Sequence, residues 1–201
     1  SILFTFFLLP KKENIQADPK GWFDFSIYKK SFQDPNLSLY LYQFLSFIFS
    51  FAVFISGFAL FAERRFTFEG HPFGAREVGY VFAYVGLLGV LIQAFMIGPL
   101  VKRFGERKLV RSGFILISGS FVVLSFVHSV PLLLLTLTAS FIGTSILRPS
   151  LTSVITQHAG KNGQGSVLGI TQSLMSLSQI IAPVLTGFLI EHGHLSIWAL
   201  M

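Results

Sequence analysis

The sequence predicts an all-α integral membrane protein, a bundle of five complete transmembrane helices with partial helices at both ends. Three observations carry that expectation. Hydrophobic residues fill 52% of the 201 positions and charged residues only 12%, where soluble domains carry about 25% charged residues. The apolar residues form blocks of spanning length, since about 20 residues at 1.5 Å each cross a hydrocarbon layer of about 30 Å. Lys and Arg collect between those blocks, far more on one side than on the other.

Taken in order, residues 1–9 read as the end of a preceding transmembrane helix, with no basic segment before them and no small-residue cleavage site after them. Residues 10–38 are the one long polar stretch and read as a cytoplasmic linker, part of which can form an interfacial amphipathic helix through Trp22, Phe23, Phe25, Ile27 and Tyr28. Residues 39–201 form the helix bundle. Its spans are expected at 39–62, 77–101, 109–127, 131–147 and 166–190, the fourth being the shortest, and a sixth starts near Leu195. Lipid offers no partner to open backbone groups, so each block is a helix or part of a closed barrel, and continuous apolar runs exclude the alternating barrel pattern.

Orientation follows from the basic residues, which cytoplasmic loops retain. Twelve, including Lys29, Lys102, Arg103, Arg107, Lys108, Arg111, Arg148 and Lys161, fall on one side, and Arg64, Arg65 and Arg76 fall on the other. Segments 10–38, 102–108 and 148–165 are therefore expected in the cytoplasm, with the protein in the plasma (inner) membrane. The net charge of +6 is membrane-flanking charge and implies no nucleic-acid partner, because the basic residues lie between apolar blocks and not on a face interleaved with aromatics.

The connection Gly98-Pro99-Leu100-Val101-Lys102-Arg103-Phe104-Gly105-Glu106-Arg107-Lys108 resembles the cytoplasmic-loop signature of the major facilitator superfamily. Gly98, Arg103, Gly105, Arg107 and Lys108 fit that signature; Lys102 stands where the family has Asp, and Glu106 where it often has a basic residue. Both departures are common in the second, more degenerate copy of the loop. Gly165, Gly169, Gln172-Ser173, Ile181-Ala182-Pro183 and Gly187 are similar to the penultimate helix of tetracycline and multidrug proton antiporters, and Phe61 to Phe68 resembles the same subgroup. The resemblance implies the C-terminal half of such a transporter, one six-helix half of a major facilitator fold. A missing N-terminal six-helix half would be its partner, and small organic or drug-like solutes would be exported in exchange for protons. It also implies that Gly98, Arg103, Gly105 and Arg107 form a gating loop that latches helix ends. The plainer reading of that loop, a topogenic basic turn, accounts for the Lys and Arg but not for the glycines.

Polar side chains within the spans are few. Tyr40, Gln43, Ser46, Ser50 and Gly57 share one face of the first span; Gly79, Gly86 and Gln93 repeat at sevens along the second; Thr136, Ser140 and Thr144 mark the fourth, and Gln172, Ser176, Gln179 and Pro183 the fifth. Gln43, Ser50, Gln93, Thr136, Ser140, Gln172 and Gln179 are the candidate solute-binding residues. Such stripes equally serve as glue between helices. None of the nine acidic residues lies well inside an expected span, so a proton-coupling carboxylate would belong to the partner half. No cofactor, metal or catalytic constellation is expected: His192 and His194 lack converging ligands, 160–165 lacks the Ser or Thr of a phosphate loop, and Cys is absent. A non-transporting helix bundle or assembly partner remains the alternative.

Overall fold

A computed structural model describes residues 29, 31–68 and 70–200, the side chains of 161 and 162 excepted. The expectations for residues 1–9 and for most of the linker lie outside these residues. The fold is all-α, and among the described residues it holds five helices long and apolar enough to cross a membrane.

Helix α1 (Pro35–Arg65) begins inside the expected linker. The Asp34 carboxylate accepts the backbone N–H groups of Asn36 and Leu37 at 2.9 and 3.3 Å, and Pro35 occupies the first helical position. This cap satisfies orphan donors that a hydropathy reading cannot register. A two-residue hairpin, β1 (Thr67–Phe68) with β2 (His71–Pro72), then turns the chain where a plain loop was expected. Helix α2 (Ala75–Leu91), a π-helical turn at Ile92–Met96 and helix α3 (Ile97–Phe104) form the second span. Helices α4 (Glu106–Ser125), α5 (Val130–His158), α6 (Gly160–Glu191) and the short α7 (Leu195–Leu200) follow.

The largest departure from expectation is at the end of the fourth span. Arg148-Pro149 reads as a helix boundary, because proline disfavours the helical conformation of its predecessor and cannot donate to the carbonyl four residues back. Helix α5 instead runs through Pro149 to His158. Leu147, Leu151, Val154 and Ile155 recur at helical spacing and are buried in one cluster with Leu37, Leu41 and Phe44 of α1 and Val110 and Ile117 of α4, so packing outweighs the local preference. Segment 148–165 is therefore almost wholly helical, and Arg148 belongs to the interior of a span rather than to a loop. The basic asymmetry falls to eleven against three and keeps its sign.

Apolar burial does not drive helices together in lipid, so close packing and polar contacts must do so. Helix α4 crosses α5 through glycines: a Cβ on Gly113 would stand 2.9 Å from the Leu147 Cβ, and one on Gly143 2.8 Å from the Ile117 Cγ1. At the end away from the basic turn, Phe54, Phe58 and Phe61 of α1 pack with Phe121 and Trp198, and the indole N–H of Trp198 donates to the Val53 carbonyl at 3.1 Å. Arg64 and Arg65 close this end, since Arg64 donates to the Ile190 carbonyl and Arg65 to those of Ser125 and Val127, each at 3.0 Å for Arg65. They cap the carbonyl ends of α6 and α4.

Candidate functional site

The polar face of α1 opens onto cavities at two heights. Nearest the basic end, Tyr40 and Gln43 line a space of about 530 Å³ with Arg107 and Arg111 of α4. The Gln43 Oε1 atom is buried and has no hydrogen-bond partner among the described residues, an exception to the rule that buried polar atoms are bonded. Further along, Ser46 and Ser50 line a second cavity of about 300 Å³ with Phe114, Ser118 and Thr144. Gly57, read from sequence as part of the same face, is a packing residue: a side chain there would run into Trp198 and Thr186.

A third cavity, of about 350 Å³, lies between α1, α5 and α6, lined by Phe51, Ser56, Arg148, Met175, Gln179 and Pro183 among others. Its level is the middle of the bundle. Phe51 is one residue past the midpoint of the 31-residue α1, and Met175 lies at the midpoint of the 32-residue α6. Arg148 lies four residues from the middle of α5, about 6 Å along the axis at 1.5 Å per residue.

The candidate residues thus separate into groups. Gln43, Ser50 and Gln179 face cavities. Thr136 and Ser140 are buried on the stripe that continues to Gly143 and Leu147, facing α4, and the Thr136 hydroxyl donates to the Leu132 carbonyl of its own helix at 2.7 Å. They line none of these three cavities. Gln93 and Gln172 are exposed and line none of these three cavities, Gln93 standing on the π-helical turn of the second span. Gln43 and Gln93, grouped from sequence, are not brought together.

In the basic turn, Gly105 has φ 76° and ψ 153°, caps α3 through its N–H to the Val101 carbonyl at 2.9 Å, and starts α4. Arg103 lies over the ring of Phe104 and Gly98 is an exposed helical residue. The side-chain contact from this turn to α5 is made by Glu106, a residue that departs from the family signature. Its carboxylate accepts the Ser153 hydroxyl at 2.5 Å and the Gln157 amide at 2.7 Å, both on α5. Arg148 was also missed. The available signal was its place between Leu147 and Leu151, four apart on a buried stripe.

The model of the family described as Major Facilitator Superfamily matches residues 44–201. The chain belongs to the Major Facilitator Superfamily. Within this superfamily it is similar to multidrug resistance protein 1 of Bacillus subtilis (strain 168), 28% identical over 76% of this chain and 39% of that protein. It is also similar to the class B tetracycline resistance protein of Escherichia coli, 32% identical over 69% of this chain and 33% of that one. Solute carrier family 22 member 18 of Rattus norvegicus is 30% identical over 61% and 30%. The chain thus spans about a third of the length of these curated relatives. No solved structure matches it.

Proposed function

We propose that this major facilitator chain is half of a secondary active transporter that exports small organic or drug-like solutes in exchange for protons, with a second six-helix half completing the path. The observation that carries the reading is the mid-height cavity between α1, α5 and α6, where Arg148, Gln179 and Ser56 interrupt walls otherwise made of Phe51, Ile48 and Pro183. Secondary transporters bind solute near the bilayer midplane, between repeats, and small-molecule sites are apolar cavities of about 300–1,000 Å³ with a few placed polar groups. The second span and α6 expose most of their apolar surface, only 17% and 22% of their most apolar windows being buried against 39–44% for the others. Those faces suit a partner half. The names of the multidrug and tetracycline resistance relatives favour an organic solute.

Proton exchange rests on the family resemblance. Among the described residues the carboxylates Asp34, Glu63, Glu77, Glu106 and Glu191 all stand at helix ends, so the titrating group would come from the partner half. The test expresses the complete reading frame in efflux-deficient cells and follows ethidium and tetracycline in everted vesicles. Uptake driven by an acid interior and abolished by a protonophore is expected. Correctly inserted protein that moves neither solute under any gradient would leave the non-transporting helix bundle as the better reading.

A further inference from the structure

We infer that the cavity at Arg148 is a site for the anionic group of an amphiphilic organic solute, a carboxylate or phenolate carried on an aromatic or aliphatic body. This rests on the transporter reading and narrows its substrate class. Arg148 presents an exposed guanidinium, all donors and no acceptor, and it stands about 6 Å from the middle of a membrane-spanning helix, a depth at which a cation is costly and marks a functional partner. The one hydrogen bond of its guanidinium among the described residues runs from Nη2 to the Met175 sulfur at 3.6 Å, a weak acceptor that cannot balance a guanidinium. No described carboxylate shares the cavity.

The other described residues that line the cavity are neutral. On α1 the cavity presents Ile48, Phe51, Ala52, Ile55 and Ser56, and on α6 it presents Met175, Gln179 and Pro183. The Ser56 hydroxyl is already engaged with the Val53 carbonyl at 3.0 Å and the Thr186 hydroxyl at 2.9 Å. What remains is a fork of guanidinium donors and the Gln179 amide, facing about 350 Å³ of space with apolar walls. A planar anion accepts two parallel N–H groups from such a fork, and the walls take an apolar body. A lone carboxylate side chain would use a small part of that volume, and a phospholipid headgroup would not reach the middle of the bundle. Both considerations favour a free solute.

The test uses the protein expressed from its complete reading frame, in phosphatidylcholine nanodiscs, with 2-naphthoate, neutral 2-naphthamide and cationic 2-naphthylmethylammonium as probes of one shape. Wild type is expected to bind the naphthoate at least about tenfold tighter than the amide, the ratio that a charge-assisted hydrogen bond supports. Arg148→Gln should abolish the preference, Arg148→Lys should keep part of it, and Arg76→Gln should leave it unchanged. Gln179→Glu, at an exposed position that tolerates the change, should abolish it by placing a carboxylate beside Arg148, and it remains informative if Arg148→Gln does not fold. Equal binding of all three probes, or a preference that survives Arg148→Gln, overturns the inference while vesicle transport still supports the transporter. A wild type that rejects naphthoate, together with an Arg148→Gln variant of lower ligand-free melting temperature, overturns it in favour of an internal carboxylate partner.

Discussion

Gly105 offers a test in which backbone conformation, space and charge separate. Its φ of 76° and ψ of 153° fall in a region open essentially to glycine, where any other residue costs about 1–3 kcal/mol. Space is not the constraint, because a Cβ there would meet nothing within 4 Å. Gly105→Ala and Gly105→Leu should therefore cost nearly the same, about 1–3 kcal/mol, even though Leu adds three carbons. Two neighbours serve as controls. Gly98 is helical with equally open surroundings, so Gly98→Ala should be neutral or stabilising by up to about 1 kcal/mol. Lys102 is exposed and makes no hydrogen bond or ion pair among the described residues, so Lys102→Ala should stay within about 0.5 kcal/mol. Melting temperatures of the purified, detergent-solubilised variants, followed by intrinsic fluorescence, give the order. If Gly105→Ala melts no lower than Lys102→Ala, the turn acts through its charge and the conformational argument fails.

Further outcomes follow from the same geometry. Glu106→Leu should loosen the contact between the basic turn and α5 by roughly 1–2 kcal/mol, a value discounted because the group is only half-buried; a cysteine at Gln157 should then react faster with a water-soluble maleimide, and an unchanged rate would remove the latch. Gly113→Leu should cost about 1–3 kcal/mol or more by overpacking against Leu147, while Gly119→Leu, with nothing within 4 Å, should cost almost nothing; equal melting temperatures would mean that α4 and α5 do not cross at Gly113. Gln43→Leu should leave stability unchanged or raise it by about 1 kcal/mol, since it removes an unpaired buried oxygen, and should weaken binding of any solute held beside Tyr40, whereas Gln93→Leu should alter neither; a fall of several degrees for Gln43→Leu would show that its oxygen is bonded.

The existence, number and order of the spans were legible because a hydrophobic block of spanning length has few alternatives in lipid. Their ends were not. The start of α1 depends on the Asp34 cap, and the second half of α5 depends on a narrow apolar stripe interrupted by Thr152, Ser153 and Thr156. Averaged hydropathy dilutes such a stripe, and Pro149 points the wrong way. The candidate site was legible only where polar residues repeat along a helix, as with Gln43, Ser46 and Ser50. Whether a stripe faces a cavity or a neighbour depends on helix rotation, which repeats do not encode: Thr136 and Ser140 carry the same signal as Ser50, yet they are buried and do not line the cavity that Ser50 lines.

Arg148 and Glu106 escaped notice for a common reason, which also links them. Each was read by its charge as a loop residue, and each acts through α5, Arg148 near its middle and Glu106 through Ser153 and Gln157 at its end. From Arg148 to Ser153 is five residues of one continuous helix, about 7.5 Å of rise, with Leu147, Leu151 and Val154 buried along the way. A rigid element of that kind moves as a unit, so a solute that draws Arg148 toward α6 would also load the contacts of Glu106 at the basic end. Coupling of this sort demands an element that both sites bias. Helix α5 carries both the guanidinium that lines the cavity and the two donors to Glu106, which puts the two groups on one continuous element.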